Sequence, residues 1–217
     1  MANDRLARPS GPVRATRPPD RVRADLIAGL AEAVAEKGYA ACTIADVVAR
    51  ARVSKRTFYE HFADKEDCLL ALYADSCDRL LEVLRGTGGP GQPWRDRVVA
   101  VVSAYLTALD EMPAVSRAVL VEMQAAGPRA YRLRQRTQRR FADALVELVA
   151  TARRADPELA ELPPDMALAL VGGINELLLE AVDPYAGGAP GPGAGSVFAA
   201  LHGTVVRLVA AVLSYRG

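Results

Sequence analysis

Between Ala41 and Asp67 the chain reads ACTIADVVARARVSKRTFYEHFADKED, and no other stretch limits its fold so strongly. Ile44, Val47, Val48 and Ala51 recur at helical spacing on one face of a short first helix. Val53 lies in a tight turn that follows. In the second short helix Phe58 and Phe62, four apart, mark the buried side. The opposite sector carries Arg56 and Glu60, flanked by Thr57, Tyr59 and His61. Polar caps set the ends: Thr43 with Asp46 three residues later makes a capping-box-like pair, Ser54 caps the second helix, and Asp64 caps the next one. Glu66 and Asp67 in that next first turn suit the positive end of a helix dipole. A helix so short, with a minimal apolar stripe and a rim of donors, has the form of a rod lying in a major groove.

The flanking sequence is helical throughout. A first helix runs from a cap at Asp20 to about Lys37, with Leu26, Ile27, Leu30, Ala31 and Val34 inward and Gly38 as its stop. The helix after Asp64 runs to about Arg85, with Leu69, Leu72, Tyr73, Leu80 and Leu84 inward. GTGGPGQP (86–93) breaks it. Further helices fall near 94–110, 114–125, 128–155, 164–182 and 195–215, bounded by Pro113, Gly127-Pro128, Pro157, Pro163-Pro164 and the loop PYAGGAPGPGAG. Dominance of Ala, Leu, Val and Arg favours helix. The expectation is an all-α architecture of about nine helices with no strand.

Charge is uneven along the chain. Through Lys65 there are 12 Lys and Arg against 8 Asp and Glu; beyond it there are 15 against 18. A basic head on an acidic body suits phosphate contact at one end. Residues 1–19 hold four Pro and four Arg and read as a disordered basic arm; Arg14 and Arg17 are its candidates for an adjacent minor groove. No apolar run approaches the ~18 residues of a membrane span, and the first twenty residues lack a secretory core. Three widely spaced cysteines do not form a disulfide framework. These features predict a cytoplasmic protein.

The pattern T-I-A-D-V-V-x-x-A-x-V-S-K-x-T-F-Y-x-H-F-x-x-K-E, within about Asp20 to Leu72, resembles the N-terminal DNA-binding domain of the tetracycline-repressor (TetR) family. The resemblance implies a helix-turn-helix at about 43–62 inside a DNA-binding domain of residues 20–80. It also implies an effector-binding and dimerisation domain of residues 81–217. It assigns double-stranded DNA contacts to Thr43, Ser54, Lys55, Arg56, Thr57, Tyr59, His61 and Lys65. Thr43 offers a hydroxyl and N–H to phosphate. Lys55 and Arg56 stand on the first turn of the recognition helix, Arg56 where many relatives carry Gly, and Arg suits a bidentate contact to guanine. Glu60, four residues on, can pair with Arg56 and hold it away from DNA. Lys65, at the start of the next helix, is a strong phosphate candidate.

The same resemblance implies a homodimer and a ligand-released repressor of a palindromic operator. Residues 164–182 and 195–215 would form a four-helix seam through Ala167, Leu170, Val171, Ile174 and Leu178 with Leu201, Val205, Leu208, Val209 and Val212. Gly172-Gly173 would allow close approach. A small hydrophobic effector of unknown identity would sit among Trp94, Tyr105, Met112, Met123, Tyr131, Phe141, Asn175 and Glu176. The Arg-rich run RLRQRTQRR (132–140) reads as a solvated helix face, with a second DNA contact or an anionic-ligand site as alternatives.

Other classes find less support. His61 and His202 are the only histidines, and no cluster has metal-ligand spacing. Glu176 and Glu180 without a histidine do not make a di-metal site. Neither a Gly-rich phosphate loop nor a nucleophile elbow is present. The chain is therefore read as a non-enzyme without cofactor or metal. A sequence-blind nucleic-acid-binding protein would call for a larger positive excess. A redox-sensing regulator of the same fold is the remaining alternative, with Cys42 beside a helix N-terminus where thiolate is favoured. Cys68 and Cys77, nine apart on one helix, are too distant to bridge within it.

Overall fold

The computed structural model describes residues 18–88, 91–182 and 196–215. Every regular element within them is helical. The head comprises α1 (Pro19–Ala41), α2 (Ile44–Ala51), α3 (Lys55–His61) and α4 (Lys65–Gly86). The body follows with α5 (Trp94–Asp110), α6 (Pro113–Arg117), a π-helical turn (Ala118–Glu122) and α7 (Met123–Ala125). It continues through α8 (Pro128–Arg153), α9 (Pro164–Val182), a 3-10 turn (Ala199–Leu201) and α10 (His202–Ser214). With the unbroken run 113–125 taken as one helix, this is the all-α architecture that the breakers predict. The basic arm, with Arg14 and Arg17, and most of the loop before α10 lie outside the described residues.

The short helices end where their caps require. The Thr43 N–H donates to Asp46 Oδ2 at 2.8 Å and the Asp46 N–H donates back to Thr43 Oγ1 at 3.3 Å. Ser54 Oγ accepts from the Thr57 N–H at 3.0 Å, and Asp64 Oδ1 from the Asp67 N–H at 2.7 Å. The start of α1 differs from expectation. Pro19 occupies the first helical position and Asp20 lies in the first turn, not at the cap; a residue with fixed φ and no N–H is suited to that place. Gly38 does interrupt the spiral, at φ 76° and ψ 161°, but one further turn follows the kink before α1 ends. Only glycine takes such a backbone without strain.

Packing then sets the head together. The α1–α2 crossing is tight at Gly29, where a Cβ would stand 2.8 Å from the Val47 carbonyl oxygen. Leu26, Leu30, Val47, Phe58, Phe62, Leu69 and Leu72 form one cluster, and Ala118, Val119, Met123 and Ala130 of the body belong to it too. Burying these side chains is worth about 1.5–3 kcal/mol for each large one. Body residues complete the head's core, and α4 runs past the expected 80/81 division as unbroken helix. Beyond it Leu81 and Leu84 pack against Ala144 of α8. The body closes around Leu106, Leu178, Phe198 and Val205, and around Val149, Leu162, Ala167 and Leu213.

Candidate nucleic-acid interface and body cavity

Helix α3 is seven residues long and has one buried side chain, Phe58. Its ring meets the Tyr59 ring edge-on at 5.5 Å and the Phe62 ring at 5.7 Å. Lys55, Arg56, Tyr59 and Glu60 are exposed, and Thr57 and His61 are half-buried. Tyr59, at 58% exposure, is among the most exposed large apolar side chains described. Thr43 and Ser54 lie exposed at the starts of α2 and α3. The Ser54 and Thr57 hydroxyls are 2.9 Å apart, so the first turn of α3 is already ordered. A single apolar anchor thus holds a rod whose remaining surface is donors and charge.

Arg56 does pair with Glu60, Nε to Oε1 at 3.2 Å, yet its side chain remains 91% exposed. An exposed pair four residues apart on a helix is worth about 0.3–0.5 kcal/mol. A base or phosphate contact outweighs that, so Glu60 does not sequester the guanidinium.

Lys65, the expected phosphate contact at the start of α4, is bonded within the head. Its Nζ donates to the Tyr39 carbonyl at 2.6 Å and the Cys42 carbonyl at 2.7 Å, and lies 4.1 Å from the centre of the Tyr39 ring. The ammonium ties the end of α1 and the approach to α2 onto the start of α4. Two of its three protons are committed inside the head. The nearby Tyr39 hydroxyl is pushed up to about 12 by burial and by the Glu66 and Asp64 carboxylates.

Charge is also managed at the edges of this surface. Lys37 Nζ lies 2.6 Å from Asp46 Oδ1, and Lys37 and Thr43 together hold the Asp46 carboxyl well below the usual carboxylate range. The first turn of α4 presents Asp64, Glu66 and Asp67. Arg129, on the first turn of α8, faces all three, at 3.5, 3.4 and 2.7 Å. Sequence reasoning missed this contact, since nothing in a single sequence pairs residues so far apart.

All three cysteines are buried. Burial pushes the Cys68 and Cys77 thiols up to about 12 and raises Cys42 as well. For Cys42 the desolvation outweighs the nearby Lys65, so the thiolate that the helix N-terminus suggested is disfavoured.

The body encloses a cavity of about 180 Å³. Among its walls are Trp94, Tyr105, Phe141 and Asn175, four of the eight residues expected there. The Tyr105 and Phe141 rings meet edge-on at 6.3 Å. The other four lie elsewhere. Met112 precedes α6, with its sulfur accepting from Arg79 at 3.3 Å; Met123 is buried in the head cluster. Tyr131 is 55% exposed, and Glu176 is on the exposed side of α9. Residues 132–140 are not one solvated face either. Arg134, Thr137 and Gln138 line the cavity, with Phe141 and Leu145 continuing the same stripe. That helical spacing was present in the sequence, masked by the density of arginines around it.

The apolar stripes of α9 and α10 face the chain's own interior. Ala167, Leu170, Leu178 and Val205 are buried there. The outward face of α9 carries Met166, Ala169 and Gly173, and a Cβ added at Gly172 or Gly173 would meet nothing within 4 Å. No single helix among the described residues is long and apolar enough to cross a membrane.

A capped pair of short helices, the second anchored by one phenylalanine and standing clear of the core, defines the helix-turn-helix class. Residues 26–72 match the family described as bacterial regulatory proteins, tetR family. Over 96 residues, 44% of its length, the chain is 30% identical to YxbF of Bacillus subtilis (strain 168), an uncharacterized HTH-type transcriptional regulator. It spans 25% of the length of that relative. Among solved structures, the fatty acid degradation regulator FadR from Bacillus halodurans shares the fold with TM-score 0.73 at 18% identity. That likeness covers 94% of this chain and 100% of the other. FadR from Bacillus subtilis, solved in complex with stearoyl-CoA, has TM-score 0.69 at 17% identity, covering 89% and 99%. Residues 26–72 are thus similar in sequence to the tetR family's DNA-binding domain, and the chain as a whole shares the fold of these solved regulators.

Proposed function

We propose that this chain is a sequence-specific DNA-binding transcriptional regulator, a homodimeric repressor of a palindromic operator that a small-molecule effector releases. The observation that carries the reading is the exposure of Lys55, Arg56 and Tyr59 on a helix with a single buried side chain. Such a rod enters a major groove with its first turn toward base edges. Thr43, Ser54, Thr57 and His61 would fix its register on phosphates. Lys65 would act mainly by shaping the head, with one proton left for phosphate.

Two half-sites one DNA turn apart need two heads. The outward faces of α9 and α10, with Ala169, Gly173, Gly203 and Ala211 exposed, are small enough for a second copy to approach closely. The effector would occupy the body cavity. Helix α8 lines it through Arg134 and Phe141 and reaches α4 through Arg129, which gives the two sites a shared rigid element. An effector that weakens operator binding 100-fold must favour the released conformation by about 2.7 kcal/mol.

Selection of bound DNA from a random pool tests the reading. The expected product is a palindrome whose half-sites are one helical turn apart. In that palindrome Arg56→Ala should relax the preference at one base pair by about 1–3 kcal/mol. Binding that is blind to sequence and governed by salt alone would show a non-specific nucleic-acid-binding protein instead.

A further inference from the structure

The cavity wall is apolar apart from a minority of polar side chains, and among the described residues it contains no aspartate or glutamate. It does contain two arginines, Arg97 and Arg134. Arg134 uses Nη1 to donate to Gln124 Oε1. Its Nε is buried with no partner, and so is the Asn175 amide nitrogen. A buried donor left without an acceptor costs about 1–3 kcal/mol, and more where it belongs to a charged group. Two such donors on one apolar chamber call for an acceptor supplied from outside the chain. With arginine present and carboxylates absent, that acceptor is best negatively charged. The remaining wall, from Leu80 and Leu84 on α4 to Val209 and Leu213 on α10, is mostly hydrocarbon surface, with Tyr73, Cys77, Tyr105, Gln124, Thr137 and Gln138 as its other polar side chains. At roughly 10–15 Å³ for each water-sized group, the cavity takes on the order of a dozen such groups.

We propose that the effector is an apolar molecule of about a dozen carbons ending in an anionic, hydrogen-bond-accepting head, with the head held by Arg134 and Asn175. This rests on the cavity being the effector site and adds the chemistry of its occupant. Sequence reading of the run 132–140 left an anionic-ligand role open as an alternative to a solvated face, and Arg134 is the member of that run positioned for it.

Trp94 is the only tryptophan of the chain and lines the cavity, so its emission reports occupancy without DNA. The full chain is titrated with dodecanoate, with dodecan-1-ol and with the neutral thioester S-dodecanoyl-N-acetylcysteamine, all below their aggregation limits. Dodecanoate should saturate at one per chain and bind at least about tenfold more tightly than the alcohol or the thioester. Arg134→Met should abolish that preference while alcohol binding persists, which shows an intact cavity. Asn175→Leu is a second variant and should weaken dodecanoate alone. Equal binding of acid and alcohol would overturn the anionic head, as would equal binding of acid and thioester or a preference that survives Arg134→Met. Failure of all three ligands to bind would overturn the proposal outright. The operator selection uses no ligand, so its outcome stands separately.

Discussion

In the head, helices of eight and seven residues, α2 and α3, are each closed by a polar cap and set on one apolar cluster. In the body, helices of 17, 26 and 19 residues, α5, α8 and α9, lack such side-chain caps where one is described and surround an open chamber. The reason is helix cooperativity. A helix of two turns is not stable alone, so every residue of α2 and α3 is committed either to capping, to Phe58-like burial or to the outward face. A long helix is stabilised over several turns and can leave some of its inward positions unfilled. A closely specified head presents a surface, and a loosely filled body leaves a space.

The sharpest way to break this contrast is to remove one phenylalanine from each region. Phe58 is completely buried in the head, and Phe58→Ala should cost about 3–5 kcal/mol. Phe141 already faces the chamber, so Phe141→Ala should cost less than about half as much, since little new void is made. Denaturant melts of both variants decide it; equal losses would mean the chamber is as tightly packed as the head.

A smaller effect separates two glycines. Gly29→Ala drives a methyl group onto the Val47 carbonyl and should destabilise by about 1–3 kcal/mol. Gly173→Ala meets open space and should stabilise α9 by about 0.5–1 kcal/mol through helix propensity. If this face is the proposed seam, the same methyl group should raise the dimer dissociation constant measured by sedimentation. An unchanged constant would move the seam elsewhere.

The smallest effect concerns acid. Lys37 and Thr43 hold Asp46 below its ordinary value of 3.8. A depressed carboxylate supplies stability that is present above that value and lost as pH falls beneath it. Asp46→Asn should therefore lower stability at pH 7 and flatten the decline below about pH 4. Urea melts across that range measure both, and an unaltered slope would mean the cap carries no charge-dependent term.

What could be read from sequence follows the same division. Thr43, Ser54 and Asp64 announced their helices because capping is a local matter of three residues. Phe58 and Phe62 announced the buried side of α3 for the same reason. The Pro and Gly breakers located the body helices to within a few residues, except α10, which starts at His202 where a helix from about 195 was expected. The anchoring of Lys65 was not legible because its partners, the Tyr39 and Cys42 carbonyls, are backbone groups that no side-chain pattern encodes. Met112, Met123, Tyr131 and Glu176 were misplaced because size and polarity do not say which neighbour a long helix turns them toward. The stripes of α9 and α10 were correctly apolar, but periodicity alone does not distinguish a chain's own core from a partner's.

Arg129 bears one consequence for how the two regions act on each other. It sets a single positive charge against Asp64, Glu66 and Asp67 at the edge of the candidate duplex-facing surface. A polyanion approaching that edge meets two uncompensated negative charges while Arg129 stays in place, and three when it withdraws. Sliding the first turn of α8 away would thus unmask a repulsion at short range, a brake that needs no change in the rod itself.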